Sequence, residues 1–337
     1  MEQKGKKKIV TIGGGTGTSM TLSGLKKYPQ DLIDITAIVT MMDSGGSTGR
    51  LRDEFGYLPV GDVRMALAAL SNTNEREILR ELFLYRFNKG EGLSGHNFGN
   101  LFLVALTDIL GSEEEAIEYA GKILNISGKV LPVTIGKADL VAGYENGEIT
   151  YGETNIDEVP SFSDGKQRIK KLFLEPEVQT TDKVRQAIEE TDFVILGPGD
   201  LYTSIIPNII VGGVAESLKN TKGKIVYIVN LMTKWGQTYG FTAKDHIDEI
   251  IKYTDRVPDY VFMNNAPLPS EILEIYANDN EIPVEDNLQE TENYNIVRDD
   301  FINSMKVEKS SSDKLKRSLI RHDSDKLAKA IINLLGE

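Results

Sequence analysis

A short β-type run, Ile9-Val10-Thr11-Ile12, stops abruptly in Gly13-Gly14-Gly15-Thr16-Gly17-Thr18. Leu22 and Leu25 then fall at helical spacing up to Tyr28-Pro29, and Ile33 to Val39 is a second strand-like run. This strand–glycine loop–helix–strand order constrains the fold more than any other feature. Two strands joined through a helix lie parallel, and the crossover is right-handed. A glycine turn at that place brings backbone N–H groups to the positive end of the helix dipole and lets a phosphate approach the main chain. Gly13, Gly14, Gly15 and Gly17, with the hydroxyls of Thr16 and Thr18, are therefore candidate phosphate ligands. A tight turn without a ligand is the alternative. The dinucleotide fingerprint is only partly met, because Thr18 stands at the third glycine position, and no Gly-Lys-Ser/Thr follows to make a P-loop.

The rest of the chain predicts helices over Val63–Leu70, Arg76–Phe87, Phe98–Leu110 and Glu113–Leu124. A hairpin is predicted with Lys129 to Glu145 and Glu148 to Tyr151 about the Asn146-Gly147 turn. Strands over Arg168–Leu174, Phe193–Leu196, Ile225–Val229 and Tyr260–Met263 alternate with helices over Asp182–Glu190, Ile209–Leu218 and Ala243–Ile251. The expectation is one α/β domain over 1–337, a Rossmann-like, doubly wound and mostly parallel sheet. Residues from about 62 to 175 are read as helical and hairpin insertions into it.

Three further clusters carry candidate chemistry. Gly197-Pro198-Gly199-Asp200-Leu201-Tyr202-Thr203-Ser204 follows a buried-type strand, and backbone N–H groups, the hydroxyls of Tyr202, Thr203 and Ser204, and the Asn208 amide can read a phosphate or a neutral ring. Both glycine loops fall at carboxyl ends of parallel strands, where open α/β sheets bind ligands. A second cluster runs from a polar, glycine-rich loop, Asp43-Ser44 to Arg50, to Gly61-Asp62-Val63-Arg64, where helix is expected from about residue 62. Asp43 or Asp62 can hold Mg²⁺ beside a diphosphate, and Arg50 and Arg64 can clamp phosphate. Ordinary Arg–Asp salt bridges, with Asp62 as a helix N-cap, explain the same residues equally well. In Ser94-Gly95-His96-Asn97-Phe98-Gly99-Asn100, His96 can contact phosphate or move a proton, and Asn97 can cap a helix. Asn230, Thr233 and Lys234 follow a strand and can reach the same pocket or simply face solvent.

Composition narrows the function classes. Zero cysteines remove thiolate catalysis, disulfides and Cys-ligated metals, and the three histidines, His96, His246 and His322, lie far apart. The net charge of −13 argues against nucleic acid as a partner. Much of it is local, because Ser270 to Asp300 holds ten acids and one base. No run of apolar residues is long enough for a membrane span, and no signal peptide is evident, so a cytoplasmic location is expected.

These motifs together resemble the bacterial gluconeogenesis factor family (YvcK type), which is similar to archaeal 2-phospho-L-lactate transferase (CofD-like). The resemblance is carried by Ile12 to Gly17, Asp34 to Thr40, Asp43 to Arg52, Pro59 to Arg64, Gly95 to Leu101, Leu196 to Ile205 and Asn230 to Thr233. It implies a Rossmann-like fold that binds nucleotide diphosphates, with UDP-sugars such as UDP-N-acetylglucosamine as ligand and Mg²⁺ as an open question. It also implies a role in cell shape and wall-precursor supply during gluconeogenic growth, exercised through an unidentified protein partner; a homo-oligomer stays open. By the same resemblance Arg321, in Leu319-Ile320-Arg321-His322-Asp323, contacts the sugar nucleotide, and Ser324 falls where members can be phosphorylated. The chain departs from relatives at Asp43-Ser44, where transferases carry two aspartates, and at Lys234-Trp235, where many relatives have Gln-Pro. No general base stands out, so the residues favour a nucleotide-sugar-binding regulator, with a Mg²⁺-dependent transferase of a phosphate-linked group as the alternative.

Overall fold

A computed structural model describes residues 5–72, 77–160, 165–290, 293–303 and 319–336. Strand β1 (Lys7–Gly13), helix α1 (Gly15–Leu25) and β2 (Ile33–Val39) form the opening parallel unit, in register Ile9 to Ile35 and Ile12 to Ile38. Helices α2 (Gly46–Phe55), α3 (Gly61–Leu70), α4 (Glu77–Leu84), α5 (Phe98–Leu110) and α6 (Glu113–Leu124) then lead to β3 (Lys129–Pro132). A small antiparallel sheet follows, made of β4 (Asp139–Tyr144), β5 (Ile149–Tyr151) and β6 (Ile169–Glu175), with α7 (Glu153–Asp157) between the last two. The second parallel series is α8 (Asp182–Glu189), β7 (Phe193–Leu196), a π-turn over Leu201–Ile205, α9 (Ile206–Ile209), α10 (Val214–Asn220), β8 (Lys224–Ile228), α11 (Ala243–Thr254), β9 (Tyr260–Asn264), α12 (Ser270–Asn278) and β10 (Asn295–Asp299). Helix α13 (Ser324–Leu334), N-capped by Asp323, packs on α1.

The seven-stranded sheet has the order β10-β9-β8-β7-β1-β2-β3, and every pairing is parallel. From β1 the chain winds outward through β2 to β3; from β7 it winds the opposite way through β8 and β9 to β10. Right-handed crossovers running in opposite directions put helices on opposite faces, which is the doubly wound arrangement expected from the sequence. The centre is correspondingly apolar on both sides, with all four residues of β7 buried beside Ile9, Ile12 and Val226. The reversal between β1 and β7 is the topological switch point.

Four local expectations need correction. The first arm of the predicted hairpin is two strands: β3 joins the main sheet and only β4 pairs across the Asn146-Gly147 turn. The stretch from 62 to 175 is thus not purely inserted. The polar loop after Asp43 is short, because Gly46 begins helix α2. The predicted helix over Ile209–Leu218 breaks, because Gly213 takes φ +91° and α10 starts only at Val214. Finally, Asp62 lies inside the first turn of α3, whose N-cap is Val60. The start of the predicted helix at Arg76 lies outside the described residues. Among the described residues no helix is long and apolar enough to cross a membrane.

Candidate ligand site at the switch point

The two glycine loops leave β1 and β7 side by side, since Ile12 pairs with Leu196. Gly13 closes β1, Gly14 is the N-cap of α1, and Gly15, Thr16 and Gly17 form its first turn. Gly14 supplies no side-chain cap, and the Asp62 carboxyl takes the Gly15 N–H; the other early N–H groups of α1 face the switch point with the dipole behind them. Close approach explains two glycines directly. A Cβ on Gly14 would lie 2.3 Å from Asp62 Oδ2, and one on Gly17 would lie 2.2 Å from the Pro198 carbonyl oxygen. Much of the glycine content is therefore demanded by packing of protein on protein, which is less than the phosphate reading asked of it.

The second loop is tied to the first. Asn208 Nδ2 donates to the carbonyls of Gly13 at 3.2 Å and Ser204 at 2.8 Å, and Asn230 Nδ2 donates to that of Gly199 at 2.9 Å. Both amides leave their Oδ1 buried and without a hydrogen-bond partner, as are Thr18 Oγ1 and Thr40 Oγ1. Buried polar atoms are nearly always satisfied. Thr40 and Asn230 lie just past β2 and β8, whereas Thr18 and Asn208 sit on α1 and α9; similar unpartnered atoms occur in the core, among them Tyr227 Oη and His246 Nε2. Two predicted residues serve elsewhere. Tyr202 is fully buried and packs edge-on against Phe241 at 6.4 Å, so its ring belongs to the core. Thr233 Oγ1 accepts from the Ile282 N–H at 3.1 Å, and its own N–H donates to the Ile282 carbonyl at 2.7 Å, which fastens two loops together.

A polar network carries the third cluster. The Asn97 side chain caps α5, accepting from the N–H groups of Gly99 at 2.8 Å and Asn100 at 3.3 Å, as the sequence suggested. Arg64, on α3, is buried and donates from Nε to Asn100 Oδ1 at 2.8 Å; Asn100 Nδ2 reaches Ser47 and Thr48 at 3.3 Å each. Arg50 donates from Nε to His96 Nε2 at 3.3 Å, which leaves the neutral ring's proton on Nδ1, 3.2 Å from Ser47 Oγ. Burial, then the Arg50 charge, hold His96 below the usual histidine range. Of the ordinary salt bridges anticipated here, Arg50 makes none among the described residues; it binds histidine and the Ser94 carbonyl.

Beside this network three carboxyls face one another. Asp43 accepts from the Gly45 N–H at 2.9 Å, and burial raises its pKa against the pull of that N–H, Thr48 and Arg64. Asp62 is pushed up to about 7 by burial and by Asp43, opposed by the Gly15 N–H and Arg64. Glu153 is pushed up to about 8 by burial, then by Asp43, Asp157 and Asp62. Glu153 was not legible in the sequence. It arrives on α7 from the small sheet, docked where Ser44 Oγ accepts from the Thr154 N–H at 3.0 Å. Asp157, on the same helix, meets Lys234, which also donates to Asp200 Oδ2 at 2.7 Å. Burial lowers the Lys234 pKa, but Asp200 and Asp157 outweigh it and lift it overall. No group of three His, Cys, Asp or Glu among the described residues is arranged to hold a metal by itself.

Further along the same edge, Asn230, Leu231, Met263, Asn264, Leu268 and Val284 line a cavity of about 230 Å³ at the ends of β8 and β9. Arg321 belongs to its surroundings. Its carbonyl accepts from the Asn303 N–H at 2.9 Å, and the neighbouring Ile320 packs with Leu231, Ala266 and Leu268.

Fold and site together define a doubly wound α/β protein with paired glycine loops at a topological switch point, the place where open α/β sheets bind their ligands. The family model described as 2-phospho-L-lactate transferase CofD matches residues 9–302. The chain is 39% identical to the gluconeogenesis factor of Bacillus subtilis over 98% of this chain and 99% of that one. It is 41% identical to a putative gluconeogenesis factor of Thermotoga maritima over 96% and 98%. A crystal structure of a Bacillus halodurans protein superposes with a TM-score of 0.85 at 36% identity, covering 97% of this chain and 99% of that chain. The chain belongs to the gluconeogenesis factor family, whose fold is CofD-like.

Proposed function

We propose that this chain is a cytoplasmic regulator that binds a nucleotide-sugar diphosphate, UDP-N-acetylglucosamine, across the switch point. The diphosphate would lie between Gly13–Gly17 and Gly197–Ser204, the nucleoside in the cavity by Asn230, and the sugar towards Arg321. The observation that supports this reading is the meeting of two glycine loops at the switch point, where β1 and β7 pair and Gly17 packs against the Pro198 carbonyl. The name of the Bacillus subtilis relative supports a role in gluconeogenic growth. On the resemblance, that role is wall-precursor supply and cell shape, exerted through a protein partner.

The facing carboxyls favour a second reading, a Mg²⁺-dependent transferase of a phosphate-linked group. Asp43 and Asp62 are desolvated and repel each other, so a cation would relieve both. Two carboxylates with phosphate oxygens suffice for Mg²⁺. Bound there, the ion would neutralise charge on phosphate oxygens. Titration calorimetry with UDP-N-acetylglucosamine, with and without Mg²⁺, tests both readings. Binding without turnover supports the regulator, conversion of the ligand supports the transferase, and no heat under either condition defeats the nucleotide-sugar proposal.

A further inference from the structure

The opposite edge of the sheet holds a second polar cavity, of about 140 Å³, bounded by Lys6, Lys26, Asp34, Ser127 and Lys129 at the amino ends of β1, β2 and β3. A seven-residue strand separates this edge from the glycine loops by roughly 20 Å. Lys26 is the C-cap of α1 and donates from Nζ to the Ser71 carbonyl at 2.7 Å. An ammonium has three N–H donors, and this acceptor is neutral. Burial, then the nearby Arg80 and Lys27 charges, pull the Lys26 pKa down to about 8, and no carboxylate offsets them. The Lys129 side chain makes no ion pair or hydrogen bond among the described residues. The one acid at the cavity, Asp34, is engaged by Lys6 at 3.6 Å. Helix C-termini alone would account for a single cap at Lys26, but not for Lys6 and Lys129 beside it at the rim of a half-open cavity.

We propose that this cavity is a binding site for a phosphate-type oxyanion, free or as the terminal phosphoryl group of a small metabolite. Its volume is well below the roughly 300 Å³ at which drug-sized ligand pockets begin, which excludes a whole nucleotide. Ser127, which lines the cavity, accepts from Gln30 Nε2 and donates its one hydroxyl proton to Asn72 Oδ1, at 2.8 Å each, so the lysines and not this hydroxyl would hold the anion. The site is wired to the switch point by two helices. Helix α1 starts at Gly15 and is C-capped by Lys26, while α3 has Asp62 in its first turn and is C-capped by Ser71. The two helices pack on each other, so an anion that moves Lys26 off Ser71 acts on the far ends of both.

Titration of the isotope-labelled full chain with inorganic phosphate at pH 7, followed by the amide resonances of Ser127 to Lys129, tests this. The expected result is a saturable shift at those amides, separate from any at Gly13–Gly17. Lys26→Met and Lys129→Gln should each weaken it about tenfold, the loss of one charge-assisted hydrogen bond. Lys129 is exposed, so its substitution keeps the test valid if Lys26→Met fails to fold. Tighter binding of inorganic phosphate than of glycerol 3-phosphate assigns the free ion; the reverse assigns a phosphorylated metabolite. No saturable shift in the wild type, or unchanged affinity in the folded variants, overturns the proposal.

Discussion

Gly17, in the first turn of α1, lies directly against the Pro198 carbonyl, with only 2.2 Å between that oxygen and the place a Cβ would take. The two glycine loops are thus in contact with each other, not merely on the same edge. Their spacing is set by close approach of backbone to backbone, so it tolerates little change on either side.

Gly17→Ala should therefore separate the loops. Overpacking of this kind costs about 1–3 kcal/mol, read as a lower urea midpoint, and nucleotide-sugar affinity should fall with it. A variant with wild-type stability and affinity would show that the contact relaxes freely.

Arg321→Ala should weaken UDP-N-acetylglucosamine binding about tenfold, as loss of a charge-assisted contact does, while circular dichroism stays unchanged. The carbonyl of Arg321, which holds Asn303, survives the substitution. Calorimetry giving the wild-type affinity would remove Arg321 from the ligand site.

Stability should depend on pH through the facing carboxyls. Asp62 and Glu153 have ordinary values of 3.8 and 4.5, raised in the folded chain to about 7 and about 8. Within that window the folded chain holds protons that the unfolded chain has released. Stability consequently falls as pH rises from about 4 to about 8 and levels off above it. Urea denaturation at pH 5, 6.5 and 8 should show this decline, Glu153→Gln should shallow it, and Mg²⁺ should do the same by favouring the ionised forms. A decline equally steep in Glu153→Gln would exclude that residue as a source.

Lys234→Met tests the bridge between the small sheet and the second loop. It leaves Asp157 and Asp200 facing each other across a half-exposed site. Screening keeps the cost to about 1 kcal/mol, and the loss should shrink in high salt. A salt-independent loss would point to the lysine stem's packing instead.

Much of this architecture could be read from residue order. The run Ile9 to Gly17 specified β1, its turn and α1, because apolar period and glycine punctuation agreed, and Asn97 announced the cap of α5. Elsewhere local signals conflicted with distant ones. Gly45-Gly46-Ser47-Thr48-Gly49 has poor helix propensity, yet α2 forms there because the Ser47 and Thr48 side chains meet Asn100 and His96 in the fold. Lys129 to Pro132 carries no mark that separates a main-sheet strand from a hairpin arm; pairing with Thr36 to Val39 decides it. Glu153 and Asp157 are two acids in a polar loop until a small antiparallel sheet sets them beside Asp43 and Lys234. Tyr202 looked like a ligand contact by its neighbours in sequence, but its ring followed the hydrophobic side of its turn.

The adjacency of β1 and β7 also bears on how the protein is made and lost. Closing a loop that spans everything from α1 to α8 carries an entropic cost before any contact across β1 and β7 repays it, and the two glycine loops meet only after that closure. A ligand seated between the loops binds only the closed chain and so draws the equilibrium towards it by mass action. The metabolite would then govern how long each copy of the protein survives proteolysis, and its cellular level could follow nutrient supply with no change in synthesis. Proteolytic half-life measured against ligand concentration would reveal that dependence.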